Sequence, residues 1–273
     1  MPLYQAVVLA IVQGLTEFLP ISSTAHLTLF PWLLGWKDPG LTFDVALHAG
    51  TLVAVLLYFW RFWVDMIEAA LGLGKPQDPT VRRSPELFWF LFVGTLPAGF
   101  AGWFFEHPAE HQLRQPLVMG AALVAVGLLM WAGERRSTRS RTLDQVSLVD
   151  SLLVGVAQAF AVIPGVSRSG ITMVAGLFRG MTRETSAQFS FLLSTPVIAG
   201  AALKKGIEIR RQGLPPEMHL PFLVGVIVAG LVGYLVIAGL MRFLERRTFK
   251  IFVVYRVVLG VIVLALGWGL RHT

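Results

Sequence analysis

Five stretches of this chain, residues 45–60, 87–105, 115–133, 185–203 and 218–241, contain no Asp, Glu, Lys or Arg. Each is long enough, or nearly so with its flanks, to match the roughly 20 residues that a helix needs to cross the hydrocarbon of a bilayer. A sixth stretch, 251–270, is interrupted by Arg256. No feature constrains the fold more, because backbone N–H and C=O groups in hydrocarbon must be satisfied within the segment itself. The composition agrees, with 55% hydrophobic and only 14% charged residues among 273. The expected fold is an all-α integral membrane protein with six transmembrane helices.

The start of the chain does not read as a cleaved signal peptide, since no Lys or Arg precedes its apolar segment and Gln13 and Glu17 fall inside or just beyond it. The N-terminus is therefore expected to belong to the mature fold. With no cysteine in the sequence, disulfides, thiolate catalysis and cysteine-ligated metal are excluded. The net charge of +7, from 23 basic and 16 acidic residues, invites a nucleic-acid reading, but its distribution points elsewhere. Fourteen basic residues fall in loops on one side: Arg61, Lys75, Arg82 and Arg83; Arg135, Arg136, Arg139 and Arg141; Arg179 and Arg183; Arg242, Arg246, Arg247 and Lys250. Seven fall on the other side, Lys37, Arg114, Lys204, Lys205, Arg210, Arg211 and Arg271. The richer side is expected to be cytoplasmic. Arg168 and Arg256 remain, both at membrane depth.

Two further apolar segments, 3–36 and 148–178, are each broken near the middle by a polar, proline-containing run, "LPISSTAH" and "IPGVSRSGIT". Broken backbone at membrane depth is tolerated only where protein or a water-filled cavity surrounds it, so re-entrant helical hairpins are expected. With an offset of 145 residues the two align without a gap, Gln13 on Gln158, Ser22 on Ser167, Ser23 on Arg168, Thr24 on Ser169 and Ala25 on Gly170. Three crossings separate the hairpins, an odd number, so they enter from opposite faces. The expectation is a single membrane domain, 1–273, built as an inverted-topology repeat of about 1–134 and about 148–273, with the hairpin tips meeting inside the membrane. The echo between "GTLPAGFAG" (94–102) and "STPVIAGA" (194–201) reads as close-packing scaffold, and 72–85 and 206–217 read as surface linkers.

Glu17 is the most informative residue, because an ionisable group within a hydrophobic segment costs on the order of 2.5–3.5 kcal/mol and needs compensation. Gln13 lies one turn earlier on the same face, where the pair could share a ligand, a metal or a proton. Pro20 ends that helix, and Ser22, Ser23 and Thr24 supply N-cap residues for a second half-helix containing His26. A helix start directs free N–H groups toward an anion. Ser23 and His26, three apart, are spaced for a nucleophile and base pair. In the second hairpin Arg168 stands between Ser167 and Ser169, with Gly170 allowing an anion-binding turn. Its planar fork suits phosphate oxygens, or else an ion pair with Glu17; both readings bring the hairpins together. Arg256, beside Tyr255, is expected either to bind phosphate or to pair internally, and Asp44 and His48 to line the cavity mouth. The constellation describes phosphoryl transfer on a lipid within the membrane.

At these residues the chain resembles the undecaprenyl-diphosphate phosphatase family, also called the bacitracin-resistance family. The resemblance rests on "QGLTE" (13–17) running into "FLPISSTAH" and on "PGVSRSGIT" (164–172), and it spans essentially the whole chain. It implies a multi-pass enzyme of the bacterial plasma membrane that hydrolyses undecaprenyl diphosphate to the monophosphate and inorganic phosphate, recycling the carrier for wall polymers. It further implies six crossings with two re-entrant pairs and dependence on Mg²⁺ or Ca²⁺. By position, it makes Ser23 the nucleophile, gives Glu17 and His26 proton transfer or metal binding, and has Arg168 hold the diphosphate. Gln13, Ser22, Thr24, Ser167, Ser169, Gly170 and Thr172 complete the expected substrate site, with Glu17 and Gln13 as the metal ligands. Gln13 stands where many members have glutamate, and Ala25 where they have glycine. The expected partners are the lipid substrate and membrane lipids, with a homodimer left open and no nucleic acid. The charge count places the first hairpin's entrance, and so the site, on the outer face. The rival reading is a secondary transporter or flippase, for which broken helices in inverted repeats are also a signature.

Overall fold

The computed structural model describes residues 1–111, 113 and 115–269; Arg114 and Arg271 of the charge count lie outside them. Among the described residues the chain is helical, with no strand. In order the helices are α1 (Leu3–Phe18), α2 (Ser23–Leu33), α3 (Leu41–Tyr58), α4 (Trp60–Leu71), α5 (Pro79–Arg83), α6 (Leu87–His111), α7 (Pro116–Arg136), α8 (Leu148–Ala159), α9 (Arg168–Phe178), α10 (Arg183–Gln212), α11 (Pro216–Arg246) and α12 (Lys250–Gly269). Six of them, α3, α6, α7, α10, α11 and α12, are long and apolar enough to cross a membrane. The protein is a multi-pass membrane protein.

Two expected linkers are more helical than their composition suggests. Region 72–85 contains α5, started by Asp78, whose carboxylate accepts from the Thr80 amide at 2.7 Å, and by Pro79 at the first helical position. Region 206–217 is helical as far as Gln212, because α10 runs on through it. A Lys205–Glu208 ion pair (2.7 Å) and Arg210 and Arg211 in the last turn support that extension, and Gly213, at φ 81°, ends it.

The shorter apolar helices form two back-folded pairs. In the first, Tyr4 at the start of α1 meets Trp36 beyond the end of α2, ring centroids 5.7 Å apart. In the second, Asp150 in the first turn of α8 accepts from Arg179 at the end of α9, 2.6 Å away. Each pair therefore begins and ends at one place and turns at its polar break. Their partners correspond as well: α1 packs on α11 and α8 on α6. Lipid gives helices no hydrophobic incentive to associate, so close backbone approach matters more. A Cβ on Gly155 of α8 would sit 2.0 Å from the Gly94 carbonyl oxygen of α6, and one on Gly50 of α3 2.3 Å from the Val226 oxygen of α11. These contacts exist only because both positions are glycine.

Three of the basic loops share one end of the bundle. Asp150, fully buried, accepts from Arg141 as well as Arg179, each at 2.6 Å. Glu134 takes Arg183 and, at 2.9 Å, Arg139, while Asp144 takes Arg83 at 3.2 Å. Burial alone would push the Asp150 carboxyl up. The hydrogen bonds from Arg141, the Ser147 backbone and Arg179 outweigh it and hold Asp150 well below the usual carboxylate range.

Candidate active site

The two breaks share one local solution. Ser22 and Ser167 are non-glycine residues with left-handed backbone, φ 77° and 69°, a conformation that costs of order 1–3 kcal/mol unless surroundings enforce it. Each is an N-cap. The Ser22 hydroxyl oxygen accepts from the Ala25 amide (3.5 Å) and that of Ser167 from the Gly170 amide (3.1 Å). Each cap starts an 11-residue helix, one at Ser23 and the other at Arg168. The two breaks are thus alike at their caps, Ser22 and Ser167, while they differ before them: α1 runs to Phe18, whereas α8 ends at Ala159 and gives way to a 3₁₀ turn at Phe160–Val162.

Glu17 is the hub between them. Its Oε2 accepts from the Ser23 hydroxyl at 2.7 Å and from the Gln13 amide at 3.0 Å, and it lies 3.2 Å from His48 Nε2. Its Oε1 pairs with the Arg168 guanidinium from the other half. The cost of burying this carboxylate is met by four donors, two of which can carry positive charge. His48 lines the cavity, as expected, and also reaches Glu17. Its Nδ1 is 2.7 Å from the Asp44 carbonyl while Nε2 faces Glu17, so both ring nitrogens are held by neighbours. Gln13 Oε1 is buried beside this cluster with no hydrogen-bond partner among the described residues.

The Ser23–His26 pairing suggested by their spacing does not form. Within a helix the nearest acceptor for His26 is the i−4 carbonyl, and Nδ1 lies 2.7 Å from the Ser22 oxygen. That bend delivers Nε2 to the Tyr255 hydroxyl at 2.6 Å, on α12 and away from Ser23. Since Nδ1–H donates to the carbonyl, neutral His26 accepts from Tyr255 through Nε2.

Arg256 pairs internally. It is fully buried and, among the described residues, donates only to backbone carbonyls: Pro20 (3.0 Å), Gly165 (2.9 Å), Val166 (3.0 Å), Leu123 (3.2 Å) and Ala122 (3.4 Å). Broken helices leave carbonyls without intrahelical donors. One guanidinium with five N–H groups satisfies those of both breaks at once. Gly170 permits this, since a Cβ there would come within 3.1 Å of Arg256 Nη1. A further tie is the Ser169 hydroxyl, which donates to the Leu19 carbonyl at 3.2 Å.

A cavity of about 650 Å³ opens over the cluster. Of the expected site residues, Glu17, Ser22, Ser23, Thr24, Ser167 and Arg168 line it. Gln13, His26, Ser169, Gly170 and Thr172 are not part of its lining. Thr172 donates to the Arg168 carbonyl at 2.7 Å and meets the Ser190 hydroxyl at 2.6 Å, which fixes the turn that presents Arg168. The rest of the wall is mostly apolar, with Trp103, Lys204 and the ion-paired Lys205 and Glu208 also lining it. Sequence reasoning did not single out Gln158, which also lines the cavity; its alignment with Gln13 was the available signal.

Among the described residues no cluster of three or more His, Asp or Glu side chains has a metal-binding arrangement. Of the two expected metal ligands, Glu17 lines the cavity and its carboxylate is the kind of oxygen donor a hard cation takes, while the unpartnered Gln13 Oε1 is buried next to it.

The chain is similar along its whole length to proteins named undecaprenyl-diphosphatase. That of Moorella thermoacetica is 50% identical over 269 residues, covering 98% of this chain and 99% of the relative. That of Pelotomaculum thermopropionicum is 45% identical over 267 residues, covering 98% and 97%. The protein of Desulforudis audaxviator is 46% identical over 269 residues, covering 97% and 99%. The family model described as bacitracin resistance protein BacA matches residues 6–262, so the chain belongs to the BacA family.

Proposed function

We propose that this protein is an undecaprenyl-diphosphate phosphatase, which hydrolyses undecaprenyl diphosphate to undecaprenyl phosphate and inorganic phosphate. It thereby recycles the lipid carrier for cell-wall synthesis and confers resistance to bacitracin. One observation carries the reading: a serine hydroxyl bonded to a carboxylate, with an arginine on the same carboxylate, faces a mostly apolar cavity between two helix N-termini. The rival transporter reading draws no support from the family.

In the mechanism this arrangement favours, Ser23 Oγ attacks the terminal phosphorus and its proton passes to Glu17 Oε2. The bond from that phosphorus to the bridging oxygen breaks, and undecaprenyl phosphate leaves with the electron pair. A water oxygen then attacks the phosphoserine phosphorus, the bond from phosphorus to Ser23 Oγ breaks, Glu17 returns its proton to Oγ, and inorganic phosphate leaves with the protons of the water. Arg168 exchanges its contact with Glu17 for the phosphate oxygens, where the starts of α2 and α9 add N–H donors. Ser22, Thr24 and Ser167 bind the head group, while Ser169, Gly170 and Thr172 hold the turn. Mg²⁺ or Ca²⁺ bound by Glu17 and Gln13 would neutralise phosphate charge. His26, joined to Tyr255, orients α2 and steadies the proton network rather than touching Ser23 directly.

The two back-folded pairs act as re-entrant hairpins of an inverted repeat. This is supported by the matched serine caps, by the corresponding packing of α1 on α11 and α8 on α6, and by the meeting of the two breaks. With the arginine-rich end cytoplasmic, the site opens to the outer face of the bacterial plasma membrane. The test is phosphate release from undecaprenyl diphosphate by detergent-purified protein with Mg²⁺ or Ca²⁺. Release is expected, and none from pure, folded protein would overturn the reading.

A further inference from the structure

Gln158 lines the same cavity as Ser23 and Arg168, yet it has no assigned part in the chemistry. It is 2% exposed, and both its Nε2 and its Oε1 lack a hydrogen-bond partner among the described residues. A buried primary amide with neither end satisfied is unusual, and such a group in a native protein calls for an explanation. The internal repeat supplies the contrast. Gln158 stands 145 residues after Gln13, whose Nε2 is taken by Glu17 four residues on. In the second half that carboxylate is replaced by Val162, which also lines the cavity. The same side chain at the same place in the repeat is thus committed in one half and uncommitted in the other.

We infer that Gln158 is a substrate-binding residue, whose carboxamide N–H groups donate to non-bridging oxygens of the diphosphate when it enters the cavity. The inference rests on the cavity being the diphosphate site. A diphosphate offers acceptors and the cavity needs donors: Arg168 and the helix starts supply them from one wall, and Gln158 adds an uncharged, two-donor group at the end of α8. A neutral donor contributes where a further cation would be difficult to bury. Turning the amide toward the anion leaves the Gln158 carbonyl to accept from water that accompanies it.

Gln158→Met removes both polar atoms at similar volume, and Gln158→Glu keeps the shape but presents acceptors to the anion. Binding is read as ligand-induced thermal stabilisation in detergent with two probes, a non-hydrolysable prenyl methylenediphosphonate and inorganic phosphate. Without ligand, Gln158→Met is expected to be as stable as wild type or more so, because an unsatisfied polar group has been removed. Its affinity for the diphosphonate is expected to fall by roughly tenfold to a hundredfold, the worth of a hydrogen bond to a charged acceptor, and that of Gln158→Glu further still. A parallel loss with inorganic phosphate assigns the contact to the attacked phosphate, and a loss with the prenyl probe alone to the phosphate next to the lipid. Equal affinities of wild type and Gln158→Met, or no binding of either probe by wild type, overturn the inference. Phosphate release is measured separately. A wild type that binds the probe and discriminates against the variants, yet releases no phosphate, overturns the hydrolase reading and leaves the Gln158 contact standing.

Discussion

Ser23 and Glu17 are joined by a 2.7 Å hydrogen bond in which the hydroxyl donates to Oε2. The bond places the proton to be removed against the group that removes it. Ser23→Ala and Glu17→Gln are each expected to lower kcat by about 10²-fold or more while the protein stays folded and inserted. Arg168→Ala should lose comparable turnover, because the anion then has no guanidinium. His26→Asn, which leaves the Ser23–Glu17 bond in place, should lose less. Phosphate release from undecaprenyl diphosphate orders the four variants. A near wild-type rate for Ser23→Ala would transfer the attack to a water activated by Glu17.

Arg256 holds the two breaks together through carbonyls, so its removal is a stability experiment. Arg256→Met strips donors from the buried carbonyls of Pro20, Gly165 and Val166, each worth about 1–3 kcal/mol when left unsatisfied. A large drop in Tm in detergent is expected, partly restored in Arg256→Lys, whose ammonium can reach fewer of the acceptors. An unchanged Tm in Arg256→Met would show that the breaks are held without it.

The crossings were legible because an uncharged run of membrane length has one structural outcome, and the site was legible because Glu17 and Arg168 are too costly in such a chain to lack a purpose. What escaped the sequence was partner choice. Spacing brought Ser23 and His26 onto one turn, but the Ser22 carbonyl captured the imidazole first. The same i−4 contact, at Asp44, turns His48 on the cavity wall toward Glu17. Arg256 could be read either as a phosphate ligand or as an internal partner, since sequence does not reveal that broken helices present their carbonyls to it. The linker expected at 206–217 is polar and carries Gly and Pro, yet α10 runs through it to Gln212, since those breakers, Gly206 apart, lie beyond that residue.

Asp150 makes stability depend on acid. Its carboxyl is held below the usual range by Arg141, the Ser147 backbone and Arg179 against the opposing effect of burial, and it lies outside the six crossing helices. A folded pKa below the unfolded value means that its contribution is complete above about pH 4 and fades as the pH falls below that. The Tm gap between wild type and Asp150→Asn should therefore be wide at neutral pH and narrow under acid conditions. A gap of constant size would place the stabilisation outside the carboxylate's charge.

Gly155 and Gly239 form a matched pair for the packing argument. Both are helical glycines, so alanine at either should gain about 1 kcal/mol of helix propensity if nothing else changes. A Cβ on Gly239 meets nothing within 4 Å, and Gly239→Ala is expected to be neutral or slightly stabilising. A Cβ on Gly155 lands 2.0 Å from the Gly94 carbonyl oxygen, which is backbone and cannot swing aside. Gly155→Ala must push α8 from α6, carrying the Gln158 wall of the cavity with it. Its Tm should fall and its KM rise, whereas Gly239→Ala should keep both at wild-type values. Equal behaviour of the two variants would mean that α8 can shift along α6 without disturbing the site.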